Sequence, residues 1–482
     1  MKTDQIKRRN AVVSTMPKRT GMRMRRSWLL CLCFFCSGIL YFSPCSAHCG
    51  PALRTLLDYN TGKPVRYGGE LSSAPVLVPG SYVKKPREFR GIWVATIENI
   101  DFPVHRSVSE FKKDFLTVLD NISRAGFTAL IFQVRPSCDA FYPSRLNPYS
   151  SCMTGTEGVG FQGFDPLEFM IRETHRRGLE FHAWLNPYRV TASTPLSRNA
   201  YLKTLSKENF AVKNPDLLLT VPIGGGRNLI MLNPGEPDSI RFILDTVDEL
   251  IANYDVDAIH MDDYFYPYQD IGKLDFGTYR KYVGKSGLSL DAWRRNNVDT
   301  LINNLGIRIR NHNRKTRRNV RFGISPFGIW ANRPTKESVK AKQNSHPAGS
   351  LTKGSQSYFV QHADTRRWVR EGWIDYIAPQ LYWSFSHNVA AYAALADWWA
   401  DTVRGTNVDL YIGHSPARLG VNPDWKNPDE LVNQLKYNCR RPEIKGSIFF
   451  SYIRVFEPGN STQKEGTRRV IENLWGKKAN QK

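Results

Sequence analysis

Ala258-Ile259-His260-Met261-Asp262-Asp263-Tyr264-Phe265-Tyr266-Pro267 decides the fold. Residues 258–261 read as a short strand buried on both faces, and the chain leaves it through two carboxylates into an aromatic turn. Strands of this kind belong to parallel sheets, whose chemistry collects at the carboxyl ends of the strands. Seven more runs of similar length flank it, at residues 91–97, 129–134, 180–185, 321–324, 374–378, 409–413 and 446–450. Longer amphipathic stretches separate them, at 109–124, 166–177, 237–253, 290–313, 389–403 and 428–438. Pro166, Pro237 and Pro428 each adjoin an acidic residue, a helix-start signal.

Eight such alternations in one series predict an α/β fold, a closed (β/α)8 TIM barrel over residues 88–482. An open doubly wound sheet would need a Gly-rich first turn for phosphate, which is absent. Gly224-Gly225-Gly226 is no such turn: it separates apolar runs at 217–223 and 228–232, a hairpin inserted after the third strand. No repeat of 20 to 50 residues occurs, which disfavours solenoids and propellers. Residues 48–87 lack periodicity and read as an ordered wrap or a flexible lead-in. The polar stretch 334–357 reads as an insertion over the site.

The first 47 residues hold nine Lys or Arg and one acid, with Arg23, Arg25 and Arg26 directly before an apolar run at 28–42. That is the layout of a signal peptide, too short in its apolar part for a comfortable membrane span, with cleavage expected after Ala47. Met22 and Met24 are alternative starts. Lipid attachment at Cys45 or Cys49 competes with simple cleavage, so the expected location is exported, periplasmic or associated with the outer membrane. Removing the leader lowers the net charge from +23 to +15, which suits acidic polymers or only solubility. No zinc-finger spacing, helix-turn-helix signature or dense basic block points to nucleic acid. Of the four cysteines left, Cys138 and Cys152 bracket one loop and are the expected disulfide pair, although three pairings remain open.

The 12 Trp and 21 Tyr suit stacking on sugar rings, with core packing as the plain reading for most of them. Polar and aromatic residues gather at one end of each unit: Gln133, Arg135 and Asp139 after strand two; Trp184, Asn186 and Tyr188 after three; His260, Asp262, Asp263 and Tyr264 after four. Strand five ends in Ser325-Pro326-Phe327-Gly328-Ile329-Trp330, strand six in Pro379-Gln380-Leu381-Tyr382-Trp383 and strand eight in Phe450-Ser451-Tyr452.

These segments, with Phe89-Arg90-Gly91-Ile92-Trp93-Val94-Ala95-Thr96, Asn99-Ile100-Asp101 and Ala183-Trp184-Leu185-Asn186-Pro187-Tyr188-Arg189, resemble the glycosyl-hydrolase-like 10 family of bacterial exported proteins from Phe89 to about Trp475. The resemblance implies a barrel related to sugar hydrolases, with a division-associated relative that cleaves peptidoglycan strands stripped of their peptides. Glu98 departs from it, standing where relatives tend to have an uncharged residue.

Glycoside hydrolysis usually takes one protonated and one ionised carboxyl. Asp262 and Asp263 supply the types; two like charges this close push one pKa up, so Asp263 is expected as the acid and Asp262 as the orienting or stabilising group. The plainer alternative is that one Asp caps the next segment or pairs with Arg135. Asp101, Asp139 and Glu98 are further carboxylates expected at the rim. Arg135, Gln133, Asp139, Asn186, Tyr188, His260, Tyr264, Gln380 and Tyr382 are candidates for binding sugar hydroxyls or acetamido groups, and Trp184, Trp330 and Trp383 for stacking. Gln380-Leu381-Tyr382 sits where chitinase-like barrels orient an acetamido group, which would let the substrate supply its own nucleophile. No cofactor is called for. Two other readings stay open: a glycan-binding barrel without catalysis, and a metal hydrolase using His182, His260, Asp262 and Asp263, although strand one carries no His-x-His pair.

Overall fold

The computed structural model describes residues 51–477; the leader, its cleavage point, Cys45 and Cys49 lie outside them. Eight parallel strands close into a barrel: β1 (Phe89–Val94), β2 (Ala129–Arg135), β3 (Glu180–Leu185), β4 (Ala258–Met261), β5 (Arg321–Ile324), β6 (Tyr376–Ile377), β7 (Asp409–His414) and β8 (Ile444–Phe449). Neighbours in sequence are neighbours in the sheet, and β8 closes onto β1 from Gly446 opposite Phe89 to Phe449 opposite Ile92. No strand edge is left in the barrel.

A helix follows each strand: α1 (Val108–Arg124), α2 (Pro166–His175), α3 (Pro237–Asn253), α4 (Leu290–Thr316), α5 (Thr365–Arg370), α6 (Tyr392–Val403), α7 (Glu430–Asn438) and α8 (Ser461–Arg469). Their starts are chemically marked. Ser107 accepts from the Glu110 amide at α1, Asp165 from Leu167 and Glu168 ahead of Pro166 at α2, and Ser289 from Ala292 at α4. The helices α5 and α8 were not expected from sequence, since each is under three turns and carries little apolar periodicity. Strand β1 begins two residues earlier than predicted, and β6 shrinks to two.

The expected hairpin after β3 gains a third strand. Arg189–Thr194 pairs antiparallel with Arg227–Leu232, which pairs with Leu218–Gly224. Its turn uses Gly224, Gly225 and Gly226, all at positive φ, where a side chain would be strained. The lead-in is an ordered wrap. Leu53–Thr55 pairs with Leu77–Pro79, Arg54 donates to Asn433 on α7 at 3.2 Å, and Lys85 donates to the carbonyls of Asn438, Arg441 and Ile444 at 3.0, 2.8 and 2.5 Å.

The insertion after β5 does not cover the barrel mouth. Its helix Lys336–Lys340 and the strand-like bridge Asn332–Ser350 enclose a separate hollow, and Lys353 pairs with Glu70 of the wrap. The Cys138–Cys152 disulfide is not formed; both thiols are free. Cys138 is sealed in the core with its thiol turned to the Arg189 carbonyl at 3.5 Å, so it does not face the loop surface.

Two apolar layers hold the barrel: a large shell between strands and helices, and an interior of Phe89, Trp93, Ile131, Trp184, Tyr376, Tyr411 and Ile448. Small residues make the interior possible, because the strands that carry no ring must leave room for those that do. Gly323 on β5 is the tightest such position, lying against the Tyr376 ring. Gly323→Ala places its methyl on that ring and is expected to cost about 1–3 kcal/mol or more. Thermal or urea unfolding measures it, and a variant as stable as the wild type would contradict this packing.

Candidate active site

The residues after the strands converge on a cavity of about 250 Å³ at the carboxyl end of the barrel. Pockets for drug-sized ligands run from ~300 Å³ upward, so this one suits a single sugar ring with the rest of a chain outside. Its walls include Trp93, Gln133, Trp184, Arg189, Asp262, Asp263, Tyr264, Ser325, Gln380, Tyr382 and Phe450.

The two aspartates leave β4 in different directions. Asn186 donates its amide to both oxygens of Asp262 at 3.0 Å, and its own oxygen takes the Arg189 backbone N–H at 3.1 Å. Trp184 faces the same carboxylate and helps hold it down without closing a hydrogen bond. Burial raises the Asp262 pKa, while the Arg189 guanidinium and the Asn186 amide oppose the rise. Asp263 turns the other way and accepts from the Tyr268 hydroxyl. Burial and the neighbouring Asp262 charge push its pKa up to about 7 against the help of Tyr268 and Gln380. One of the pair thus titrates near neutrality and the other is furnished with donors, the division of labour that acid catalysis beside an anion requires.

Beneath the aspartates runs a hydrogen-bonded column along the barrel. Trp93 Nε1 donates to His260 Nε2 at 3.1 Å; His260 Nδ1 and His182 Nδ1 each lie 2.9 Å from the Tyr376 hydroxyl; His182 Nε2 lies 2.9 Å from Glu180. An indole nitrogen only donates, so His260 Nε2 is an acceptor and Nδ1 carries the proton. Tyr376 accepts that proton's bond and donates its own to His182 Nδ1, leaving His182 Nε2–H for Glu180. Burial, with His182 nearby, holds the His260 pKa well below its ordinary value. Both imidazoles are thereby spent, so the mixed set His182, His260, Asp262 and Asp263 is not arranged as metal ligands. Among the described residues no group of three or more such side chains could hold a metal ion.

Of the residues expected here, Gln133, Trp184, Asp262, Asp263, Tyr264, Gln380 and Tyr382 line the cavity. Asn186 and His260 sit directly behind it. The others are elsewhere. Arg135 is buried and holds the loop after β3, donating to Asn186 O at 2.6 Å and Asn147 at 3.1 Å, and forms no pair with Asp262 or Asp263. Asp139 is sealed in its own turn, accepting from the Ser137 amide. Asp101 clamps β1 to the chain after β8 by accepting from Ala95, Ser451 and Ile453. Glu98 stays exposed beside Ile97 and Ile100 on the rim.

Tyr188 faces a small crevice behind Tyr264 and Arg189. Trp330 is core: it stacks on Trp398 and donates to Asp364 at 3.1 Å. Trp383 packs edge-on against Phe327 outside the cavity. Sequence reasoning missed Trp93, Arg189, Tyr268, Ser325 and Phe450. Four of them lie in the strand segments named above, and Tyr268 follows Asp263 by five residues in the aromatic turn.

The raised pKa of Asp263 fixes a sign for stability. The unfolded group titrates near 3.8 and the folded one near 7, so the folded state holds the proton more tightly. Its favourable contribution is whole below the lower value and is lost as pH rises through the higher one. Asp263→Asn, which cannot ionise, is expected to gain melting temperature relative to the wild type between about pH 4 and about pH 8. A difference that stays flat with pH would contradict the assignment.

The match to the family model described as Glycosyl hydrolase-like 10 spans residues 88–428. "Glycosyl hydrolase YngK" of Bacillus subtilis is 42% identical over 372 residues, 76% of this chain and 68% of that protein. "Glycosyl hydrolase DigH" of Escherichia coli K12 is 37% identical over 421 residues, 83% of this chain and 90% of that one. A solved α-L-fucosidase isoenzyme 2 of Paenibacillus thiaminolyticus, at 12% identity and TM-score 0.48 over 80% of this chain and 50% of its own, adds nothing about the reaction. With a closed barrel, a one-ring cavity at its carboxyl end and relatives at this level of identity, the chain belongs to the glycosyl hydrolase-like 10 family and is a glycoside hydrolase.

Proposed function

We propose that the enzyme hydrolyses an N-acetylated glycan, with peptide-free cell-wall strands as the first substrate class, by acid catalysis from Asp263. The observation that carries this reading is the unequal environment of two buried adjacent carboxyls in one sugar-sized cavity. Asp263 gives its proton to the glycosidic oxygen as the bond to the anomeric carbon breaks. Asp262 and Asp263 are the only carboxylates lining the cavity among the described residues, and they are chain neighbours. A second carboxylate across the ring, which water activation or protein nucleophilic attack needs, has no candidate in that lining.

The nucleophile is then the substrate's own acetamido oxygen, which closes on the anomeric carbon and is later released by water. Asp262, ionised, accepts the acetamido N–H and steadies the positive charge that develops there. Trp184 and Tyr382 flank the ring, and Gln380, bonded to Ser325 O at 2.9 Å, fixes the wall beside Asp263. The signal-peptide layout of residues 1–47 supports export, with the enzyme periplasmic or held at the outer membrane through a lipid on Cys45 or Cys49.

Release of reducing ends from peptide-free peptidoglycan strands and from chito-oligosaccharides tests this reading. Asp263→Asn is expected to lower turnover by about 10²–10⁴-fold, the range of a positioned proton donor. Strands stripped of their acetyl groups are expected to resist cleavage by the wild type. Equal cleavage of acetylated and deacetylated strands would overturn the substrate-assisted step, and failure to cut any N-acetylated glycan would overturn the substrate class.

A further inference from the structure

We propose that Arg189 reads a carboxylate carried by the bound sugar, which makes the enzyme selective for acidic glycans. The inference rests on the reading of the cavity as a glycan site and adds the residue that distinguishes acidic from neutral rings there. Arg189 is 7% exposed and is the one cation in the cavity lining among the described residues. A guanidinium removed from water this far is ordinarily found paired, since an unpaired buried charge is costly. Arg189 has no such pair: among the described residues it forms no ion pair with any carboxylate. Asp262 feels its charge, yet the Arg189 guanidinium makes no ion pair or hydrogen bond with either Asp262 oxygen, both of which face the Asn186 amide.

The guanidinium is nevertheless held in place. Nη1 donates to the Pro136 carbonyl at 3.2 Å, and the guanidinium carbon lies over the Tyr264 ring, 4.6 Å from its centroid. Its backbone is fixed by Asn186 and by the antiparallel pairing of Arg189 with Met231. Nε and Nη2 take no acceptor among the described residues, and these two nitrogens form the fork that matches a carboxylate.

A second open donor faces the same cavity. Gln133 accepts the Thr96 and Ile97 amides on its oxygen at 3.0 and 2.9 Å, which fixes the orientation of its amide, and its buried NH2 has no partner. The cavity thus offers a fixed guanidinium and a fixed amide with nothing of the protein's own to satisfy them. An oxygen-rich, negatively charged substituent on the ring answers both. A neutral ring would leave the guanidinium buried and unpaired, a penalty that falls on the wrong substrate.

The test uses matched strands: peptide-free peptidoglycan glycan, and the same strands with their carboxyls reduced to alcohols. The wild type is expected to lose about 10- to 100-fold in kcat/KM on the reduced strands. In Arg189→Gln, whatever rate remains is expected not to distinguish the two, and Arg189→Lys, which keeps the charge without the fork, is expected to keep part of the preference. Binding of N-acetylmuramic acid against N-acetylglucosamine by calorimetry, to the wild type and to Arg189→Gln, reads the same selectivity without turnover. Equal handling of acidic and reduced strands by the wild type, or an acid preference that survives Arg189→Gln, would overturn the assignment. Cleavage of neither strand, with acid-selective binding that is lost in Arg189→Gln, would leave Arg189 as the reader and overturn the hydrolytic reading instead.

Discussion

Two carboxyl groups on consecutive residues, both buried at the mouth of one barrel, constrain everything around them. Both cannot be ionised at neutral pH without a large desolvation and repulsion cost, so their surroundings must choose between them. The choice is visible in the partners. Asp262 receives the Asn186 amide on both oxygens with Arg189 behind it, while Asp263 receives a phenol and sits against its neighbour's charge. Asn186 is in turn anchored through its backbone carbonyl by Arg135, so a residue with no place in the cavity decides where Asp262 points.

The column from Trp93 through His260, Tyr376 and His182 to Glu180 gives the cavity a fixed floor. It ends at an indole, which cannot give up its proton, so it orients Trp93 and does not conduct protons. Its rings fit inside the barrel only because Gly323 and other small residues yield the space. Packing, hydrogen bonding and the shape of the site are in this sense one property of the interior. The antiparallel insertion after β3 contributes at the other edge, since its first strand starts at Arg189 and sets that guanidinium against Tyr264.

The barrel was legible because its signals are local and repeated: eight short apolar runs, each followed by polar and aromatic residues, with β3, β4 and β5 readable to the residue. The aspartate pair was legible for the same reason. What sequence could not give was direction. Trp330 and Trp383 follow strand ends as Trp184 does, yet one turns into the core against Trp398 and the other packs on Phe327. Asp101 and Asp139 carry the right chemistry but spend it on backbone amides nearby, a competition that short acidic side chains often win in turns. Arg189 stood in a quoted motif beside Tyr188, and only the pairing of its strand shows which of the two faces the cavity.

The central claim is that Asp263 binds its proton with a pKa of about 7, raised by burial and by the charge of Asp262. Infrared difference spectra of the carboxyl C=O stretch, recorded from about pH 5 to about pH 9 on wild type and Asp263→Asn, test it most directly. The account predicts a wild-type-minus-variant difference in which one buried carboxyl titrates near 7, over the signals of Glu157 and Glu430 that both proteins share. A wild-type-minus-variant spectrum without that component, or one in which it is already fully ionised at about pH 5, would contradict it.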